Sequence, residues 1–293
     1  MSENIYNKIK HIPYIKNIPE NPIDKLDNYP ITFFMVQFDY KNNKTFQVLQ
    51  DAFVESIKQK MPGAEIKIEH PKPPNWKSFT KNGKPVIKWM ASNTLKLEIW
   101  VDYIKNAKNN TILVDCDMLL ANPISEVFDH DFDVAMTIRT NSNRLPINGG
   151  AIYVKPNENS IKYFEELLEL NNKMINDPKL HRKYKGVYQG INQSAMGMIS
   201  ENYDQNDSDF KLIMLPCKYY NCCQEDWNSV DFKKTRLIHC KSELRRCIVD
   251  YKINNKPFIR LTPNKKIKEI IQYWERYHEK SKKHNKNDIL STN

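Results

Sequence analysis

Short apolar runs alternate with amphipathic segments along most of this chain, and this alternation restricts its possible folds more than any other feature. The run Ile31–Phe38 is almost entirely apolar and predicts a buried strand. Phe46, Leu49, Phe53 and Ile57 then recur at helical spacing. The alternation continues, with strands predicted at 65–68, 111–114, 132–138, 151–154, 211–215 and 236–239, and helices at 90–105 and 161–175. This order predicts an α/β fold with a mixed, mostly parallel sheet flanked by helices.

Three parts of the chain differ in pattern, and we predict one domain with two extensions. Residues 1–30 contain four prolines and no clear periodicity, which predicts an extended N-terminal arm. Residues 31–250 carry the alternating elements and are predicted to form the single domain. Residues 251–293 are predicted to be a basic, helical C-terminal extension, with one apolar face formed by Ile267, Ile270, Ile271, Trp274 and Tyr277.

Composition limits the class of protein and its partners. The 293 residues carry a formal net charge of +10, which fits either a polyanionic partner such as DNA or a lysine-rich compositional bias. The six cysteines lack metal-finger spacing and are interpreted as reduced thiols. No apolar run reaches the length of a membrane span, and the first residues do not resemble a signal peptide. We therefore expect no membrane span and a cytoplasmic location.

The tripeptide Asp115-Cys116-Asp117 directly follows the apolar run Thr111–Val114 and is the strongest candidate for chemistry. Side chains alternate along a strand, so both carboxylates are expected on the same side. Carboxylate oxygens are the ligands that Mg²⁺ and Mn²⁺ prefer, and ligands bind parallel sheets at the carboxyl ends of strands. The position therefore predicts a divalent cation that grips a diphosphate.

Several motifs in a fixed order resemble those of the GT-A glycosyltransferases, which transfer sugars from nucleotide donors and carry an Asp-x-Asp motif. The resemblance extends from about Ile31 to Arg246, most of the chain. Its components are the opening strand, a helix bearing Lys96, the Asp115–Asp117 motif, and the segments 147–154, 190–195 and 238–241. It implies the GT-A fold and transfer of a hexose from a donor similar to UDP-glucose.

The resemblance implies a role for each polar residue near the diphosphate. Asp117 would ligate Mn²⁺ or Mg²⁺ directly, and Asp115 would contact the ribose or ligate the ion through water. His239, at the end of a late predicted strand, resembles the third protein ligand of the metal, although a lone histidine is as often structural. Lys241 and Arg245 lie four residues apart and are candidates to hold the diphosphate.

The resemblance also assigns residues to the remaining parts of the donor. Gln37, Phe38 and Asp39 end the first predicted strand and would seat the base and ribose. Lys96 would reach a phosphate. A predicted loop before the strand 151–154 would line the sugar and acceptor side of the pocket; its residues are Asn148, Gly149 and Gly150.

The identity of the general base stays open at the sequence level. Asn192 and Gln193 stand where many relatives carry an acidic residue, and an amide cannot deprotonate the acceptor hydroxyl. Their presence favours a retaining mechanism, or a base from elsewhere. Glu225 and Asp226 are the candidates for that base, and Asp226 is the one included in the predicted catalytic set.

Two classes of acceptor fit the sequence. We slightly favour DNA with hydroxymethylated pyrimidines, as some phages make, because nothing ties the chain to a membrane; the basic charge and aromatic residues of the loop 71–89 would hold the strand. The alternative is a glycan, lipid or protein acceptor. A metal-dependent nuclease or phosphatase would need more metal ligands. A non-catalytic nucleic-acid-binding protein is supported only by the charge.

Overall fold

The computed structural model describes residues 5–38, 44–75, 80–81, 84–85, 88–139, 146–204, 209–249 and 265–291. Asp39, part of the loop 71–89 and part of the predicted extension 251–293 lie outside these ranges. The strands are β1 (Ile31–Val36), β2 (Glu65–Glu69), β3 (Thr80–Lys81), β4 (Lys84–Pro85), β5 (Asn110–Val114), β6 (Met118–Leu120), β7 (Val134–Ile138), β8 (Ile147–Val154), β9 (Leu212–Pro216) and β10 (Leu237–His239). The helices are α1 (Lys44–Lys60), α2 (Lys88–Asn106), α3 (Glu158–Asn176), α4 (Pro178–Tyr188), α5 (Ile191–Asn202), α6 (Cys217–Tyr220), α7 (Ser242–Arg246) and α8 (Lys265–Ser291).

The main sheet has six strands in the order β2-β1-β5-β8-β7-β9. Strands β2, β1 and β5 are parallel to one another, as are β7 and β9, and β8 is antiparallel to both of its neighbours. A separate antiparallel ribbon pairs β6 with β10. The predicted α/β fold with a mixed, mostly parallel sheet is therefore confirmed.

Apolar side chains cover both faces of the inner strands of this sheet, which explains why β1, β5 and β7 have continuous apolar runs. In β1, Phe34 packs into the cluster that includes α2, α3 and α5, whereas Phe33 and Met35 pack into the opposite cluster with α1. Leu113 and Ile112 of β5 divide in the same way, since successive side chains on a strand point to opposite faces. The sheet is thus the middle layer of three.

The two predicted extensions pack on this core where the structure describes them. Ile9 and Ile12 of the arm are buried, and Tyr14 forms a parallel bridge to Met214 of β9. Helix α8 buries Ile270 and Trp274 in a third apolar cluster shared with α1 and β10. No described helix has both the length and the apolarity that crossing a membrane requires. The domain boundaries themselves stay a prediction.

Several predicted boundaries need correction. The first strand ends at Val36, so Gln37 and Phe38 lie just beyond its carboxyl end. Asn148, Gly149 and Gly150 lie inside β8, because that strand begins at Ile147 and not after a glycine loop. The register between β7 and β8 shifts after Met136, because β8 bulges at the residues that include Gly149 and Gly150. Such bulges re-aim backbone and side chains next to functional sites.

Candidate active site

Backbone pairing brings the Asp-x-Asp tripeptide and His239 together. The Asp115 amide donates to the Gly150 carbonyl at 2.9 Å, which fixes the chain as it leaves β5. β6 then pairs with β10, and Met118 lies opposite His239. The Cys240 amide also donates to the Asp117 carbonyl at 2.7 Å. Residues more than 100 positions apart in sequence are therefore neighbours at the carboxyl edge of the sheet.

Three metal-ligating side chains converge at this edge. Asp117 Oδ1 lies 3.2 Å and Asp115 Oδ2 lies 3.5 Å from His239 Nε2. One ligand atom from each residue lies within 4.8 Å of the other two. Two carboxylate oxygens and one imidazole nitrogen form a donor set that suits Mn²⁺ and accommodates Mg²⁺. The residues present fit a divalent cation at the position that the sequence predicts.

Cations surround the two carboxylates. Lys96 Nζ contacts Asp115 Oδ1, and Arg245 Nη1 lies 3.1 Å from Asp117 Oδ2. Burial raises the pKa of Asp117, but the His239 ring and the Arg245 guanidinium outweigh burial and hold the pKa at about 2. Asp117 is therefore ionised at neutral pH and ready to bind a cation.

A cavity of about 480 Å³ opens over this cluster, within the size range of small-molecule sites. Thirteen of the predicted site residues line it: Gln37, Phe38, Lys96, Asp115, Asp117, Asn148, Gly149, Gly150, Asn192, Gln193, His239, Lys241 and Arg245. They come from six separate parts of the chain. All thirteen residues therefore line the same cavity, and the role of each one stays a prediction.

Two amide oxygens in the cavity wall have no hydrogen-bond partner among the described residues. They are Gln37 Oε1 and Asn192 Oδ1, and both are buried. The Asn192 amide nitrogen donates to the Asn93 carbonyl at 3.0 Å, which orients the free oxygen. A buried acceptor without a partner costs roughly 1–3 kcal/mol, so each is suited to a hydroxyl or N–H of a bound ligand.

Other predicted residues have structural partners or lie elsewhere. The Gln193 side chain donates to the Ile147 carbonyl at 2.7 Å and ties α5 to β8. Glu225 pairs with Arg139 at 3.3 Å. Asp226 lies in a separate cluster with Cys217 and Cys223 and does not line the cavity. Asp39 lies outside the described residues.

Sequence reasoning missed several residues that the cavity includes. Trp100 lines it, and Lys96 Nζ lies 4.5 Å from the centre of its ring. Phe46 lies beneath the Arg245 guanidinium at 4.8 Å. Asn221 lies outside the lining but touches His239, and no motif marks it in the sequence. Lys96 and Trp100 lie four residues apart in a predicted helix, and this spacing is the one sequence signal that could have predicted their contact.

The fold and the site together define a nucleotide-sugar transferase with the GT-A arrangement. Residues 100–246, which are 147 of the 293, match the family model described as nucleotide-diphospho-sugar transferase, and the chain belongs to this family. A search of curated protein sequences gives no significant match.

Solved structures share this fold at low sequence identity. A glycosyltransferase involved in the glycosylation of the major capsid of PBCV-1 aligns with a TM-score of 0.51 and 13% identity, over 74% of this chain and 97% of that one. The apo form of the glycosyltransferase GlyE of Streptococcus pneumoniae TIGR4 aligns with a TM-score of 0.50 and 12% identity, over 88% of this chain and 64% of that one. At such identity the likeness concerns the fold.

Proposed function

We propose that this chain transfers a hexose from a nucleoside-diphosphate sugar, with UDP-glucose as the first donor to test, to an acceptor hydroxyl. The observation that carries the proposal is the convergence of Asp115, Asp117 and His239 at the cavity of a nucleotide-diphospho-sugar transferase. These three residues would hold Mn²⁺ or Mg²⁺. The bound cation would supply Lewis-acid neutralisation of charge on the departing diphosphate.

In this proposal, the polar residues around Asp115, Asp117 and His239 bind the other parts of the donor. Lys96 and Arg245 contact the outer carboxylate oxygens, and Lys241 lines the same cavity, so three cations face the space for a diphosphate. The free acceptor Gln37 Oε1 lies beyond the carboxyl end of β1, where a base N–H would bind. The free acceptor Asn192 Oδ1 would bind a sugar hydroxyl.

A retaining outcome fits this cavity better than an inverting one. Among its described lining residues the carboxylates are Asp115 and Asp117, both assigned to the cation, and Asn192 and Gln193 are amides. An inverting reaction would need a base such as Asp226 to reach the acceptor. NMR of the product linkage tests the proposal: the expected product has the anomeric configuration of the donor, and an inverted product contradicts it.

Calorimetry tests donor and metal binding directly. We expect UDP-glucose to bind in Mn²⁺ and to bind at least tenfold more weakly in EDTA. Asp117→Asn should weaken donor binding in Mn²⁺ to a similar degree, because it removes a charged ligand. Asp131→Asn is the matched control, since Asp131 is exposed and pairs with Lys211 away from the cavity. Absence of metal-dependent binding with every sugar nucleotide tried would refute the proposed function.

The acceptor in this proposal is DNA that carries hydroxymethylated pyrimidines, supported by the net charge of +10. A glycan or protein acceptor is the second candidate, and the PBCV-1 capsid enzyme with a similar fold is the reason to include it. The assay supplies UDP-glucose and Mn²⁺ with DNA containing 5-hydroxymethylcytosine or 5-hydroxymethyluracil and measures nucleoside masses. Donor hydrolysis without hexose on either base would exclude the DNA acceptor and favour the second candidate.

A further inference from the structure

The Nδ1 side of the His239 ring, opposite the nitrogen that faces Asp115 and Asp117, contacts one buried side-chain amide. His239 Nδ1 lies 2.9 Å from Oδ1 of Asn221, and the Asn221 residue is completely buried. The other end of that amide has its own partners: Nδ2 lies 3.0 Å from Thr137 Oγ1 and 3.3 Å from the Asn148 carbonyl. A carbonyl can only accept, so the Asn221 nitrogen must face Asn148 and the Asn221 oxygen must face His239.

This orientation determines which ring nitrogen carries the proton in the neutral imidazole. Because Asn221 Oδ1 is an acceptor, Nδ1 must donate to it, and Nε2 is left with a free lone pair. That lone pair faces Asp115 Oδ2 and Asp117 Oδ1 at 3.5 and 3.2 Å. Without a cation or an added proton, this arrangement places three electron-rich atoms against one another. With a divalent cation between them, each atom is a ligand.

The backbone also holds Asn221 firmly in place. Its amide donates to the Cys217 carbonyl at 2.9 Å, and its carbonyl accepts from the Cys217 thiol at 3.1 Å. The next residue, Cys222, accepts from the His239 amide at 2.8 Å. The amide that orients the ring is therefore attached to the same stretch of chain that pairs with β10.

We propose that Asn221 is a positioning residue that selects the metal-binding tautomer of His239, and that it couples the metal site to β7 through Thr137 and to β8 through Asn148. The inference rests on the metal-dependent transferase proposed above. A side chain that hydrogen-bonds the other ring nitrogen in this way fixes the tautomer and the orientation of a ligating histidine, and its loss weakens metal binding about 10- to 100-fold. Asn148 lines the cavity, so the same amide joins the metal ligand to the wall of the donor site.

The tautomer is measurable without substrate. Long-range ¹⁵N–¹H NMR of histidine-labelled protein in saturating Mg²⁺, a diamagnetic cation, is expected to show His239 with a proton on Nδ1 and none on Nε2. Asn221→Leu, which keeps the volume and removes the acceptor, should shift the ring towards the Nε2–H form. A wild-type His239 that is predominantly Nε2–H would overturn the inference, even if the variant failed to fold.

Metal affinity provides the second measurement, with Mn²⁺ as the probe and the EPR signal of free Mn²⁺ as the readout. We expect Asn221→Leu to bind Mn²⁺ about 10- to 100-fold more weakly. Asn221→Asp keeps the acceptor for Nδ1–H and should restore most of the affinity. Asn171→Leu is the matched control, because Asn171 is also a fully buried asparagine, donates to Thr94 Oγ1 at 2.9 Å, and is not among the residues that line the cavity.

The outcomes separate this inference from the proposed function. If the wild-type chain binds no Mn²⁺ at the Asp115 site, the proposed metal site itself is wrong. If the wild type binds Mn²⁺ and Asn221→Leu binds it equally well, the positioning role is wrong and the transferase proposal stands. A loss shared equally by Asn171→Leu would show a general effect on folding and would also overturn the role of Asn221.

Discussion

At Gly150 the backbone passes close to two of the proposed metal ligands. A Cβ atom placed there would lie 2.6 Å from His239 Cε1 and 3.1 Å from Asp115 Oδ2. The His239 ring cannot move away easily, because its Nδ1 atom is hydrogen-bonded to Asn221. We therefore expect Gly150→Ala to displace the ring and to lower Mn²⁺ affinity at least tenfold, measured by EPR of the free ion.

Gly186 supplies the control for that substitution. It lies within α4, and a Cβ there would meet no atom within 4 Å. Gly186→Ala should leave Mn²⁺ affinity unchanged and raise the free energy of unfolding by about 0.5–1 kcal/mol, since alanine is the better helix former. Equal Mn²⁺ affinity in both glycine variants would contradict the close approach at Gly150.

Single residues differ in how far their place in the site can be predicted from sequence. Asp115 and Asp117 carry a local signal, two carboxylates after an apolar run, and the structure brings them to the predicted edge. Asn221 carries no such signal. It meets His239 only because β10 pairs with β6 and because the segment after α6 bridges to Ile238. Such contacts depend on chain pairing that a local pattern does not specify.

At the scale of elements, Gly197 allows α4 and α5 to pack closely. A Cβ at Gly197 would lie 2.3–2.5 Å from three carbons of the Tyr188 ring, which is fully buried. The ring is also fixed by the hydrogen bond from its hydroxyl to Glu201 Oε1 at 3.0 Å. We expect Gly197→Ala to lower the free energy of unfolding by roughly 1–3 kcal/mol through overpacking. Urea denaturation measures this value.

The same pair of helices connects stability to the site. Gln189 and Gly190 join α4 to α5, and both Gly190 and Asn192 line the cavity. A displaced Tyr188 would therefore move the cavity wall, so Gly197→Ala should also weaken donor binding, whereas Gly186→Ala should not. If Gly197→Ala has the same free energy of unfolding as the wild type, then α4 and α5 accommodate the added methyl group without loss of stability, which would contradict the prediction.

Element types were easier to predict than strand direction. The apolar runs of β1, β5 and β7 predicted their strands to within two residues at each end. The direction of β8 was not predictable, because a strand buried on both faces has the same apolar pattern whether parallel or antiparallel. The glycines at 149 and 150 suggested a loop, but they lie in a bulged part of β8 where the backbone approaches His239.

At the scale of the whole molecule, two buried groups make the fold sensitive to acid. His278 of α8 is buried against Trp274, with ring centres 4.6 Å apart, and burial lowers its pKa from the usual 6.5. Asp117 has a pKa of about 2 against the usual 3.8. In both cases the unfolded chain binds a proton at a higher pH than the native chain. The free energy of unfolding therefore falls as the pH falls.

The two groups act in different pH windows, and this difference gives the final prediction. The His278 contribution is lost as the pH falls below about 6.5, and the Asp117 contribution is lost between about pH 5 and pH 2. Urea denaturation in EDTA should thus show falling stability in both windows. His278→Phe, which keeps a ring against Trp274 and cannot be protonated, should lessen the decline in the upper window without abolishing it, because burial also lowers the pKa of His130. An unchanged slope between pH 7 and pH 5.5 in that variant would show that His278 does not cause the upper decline.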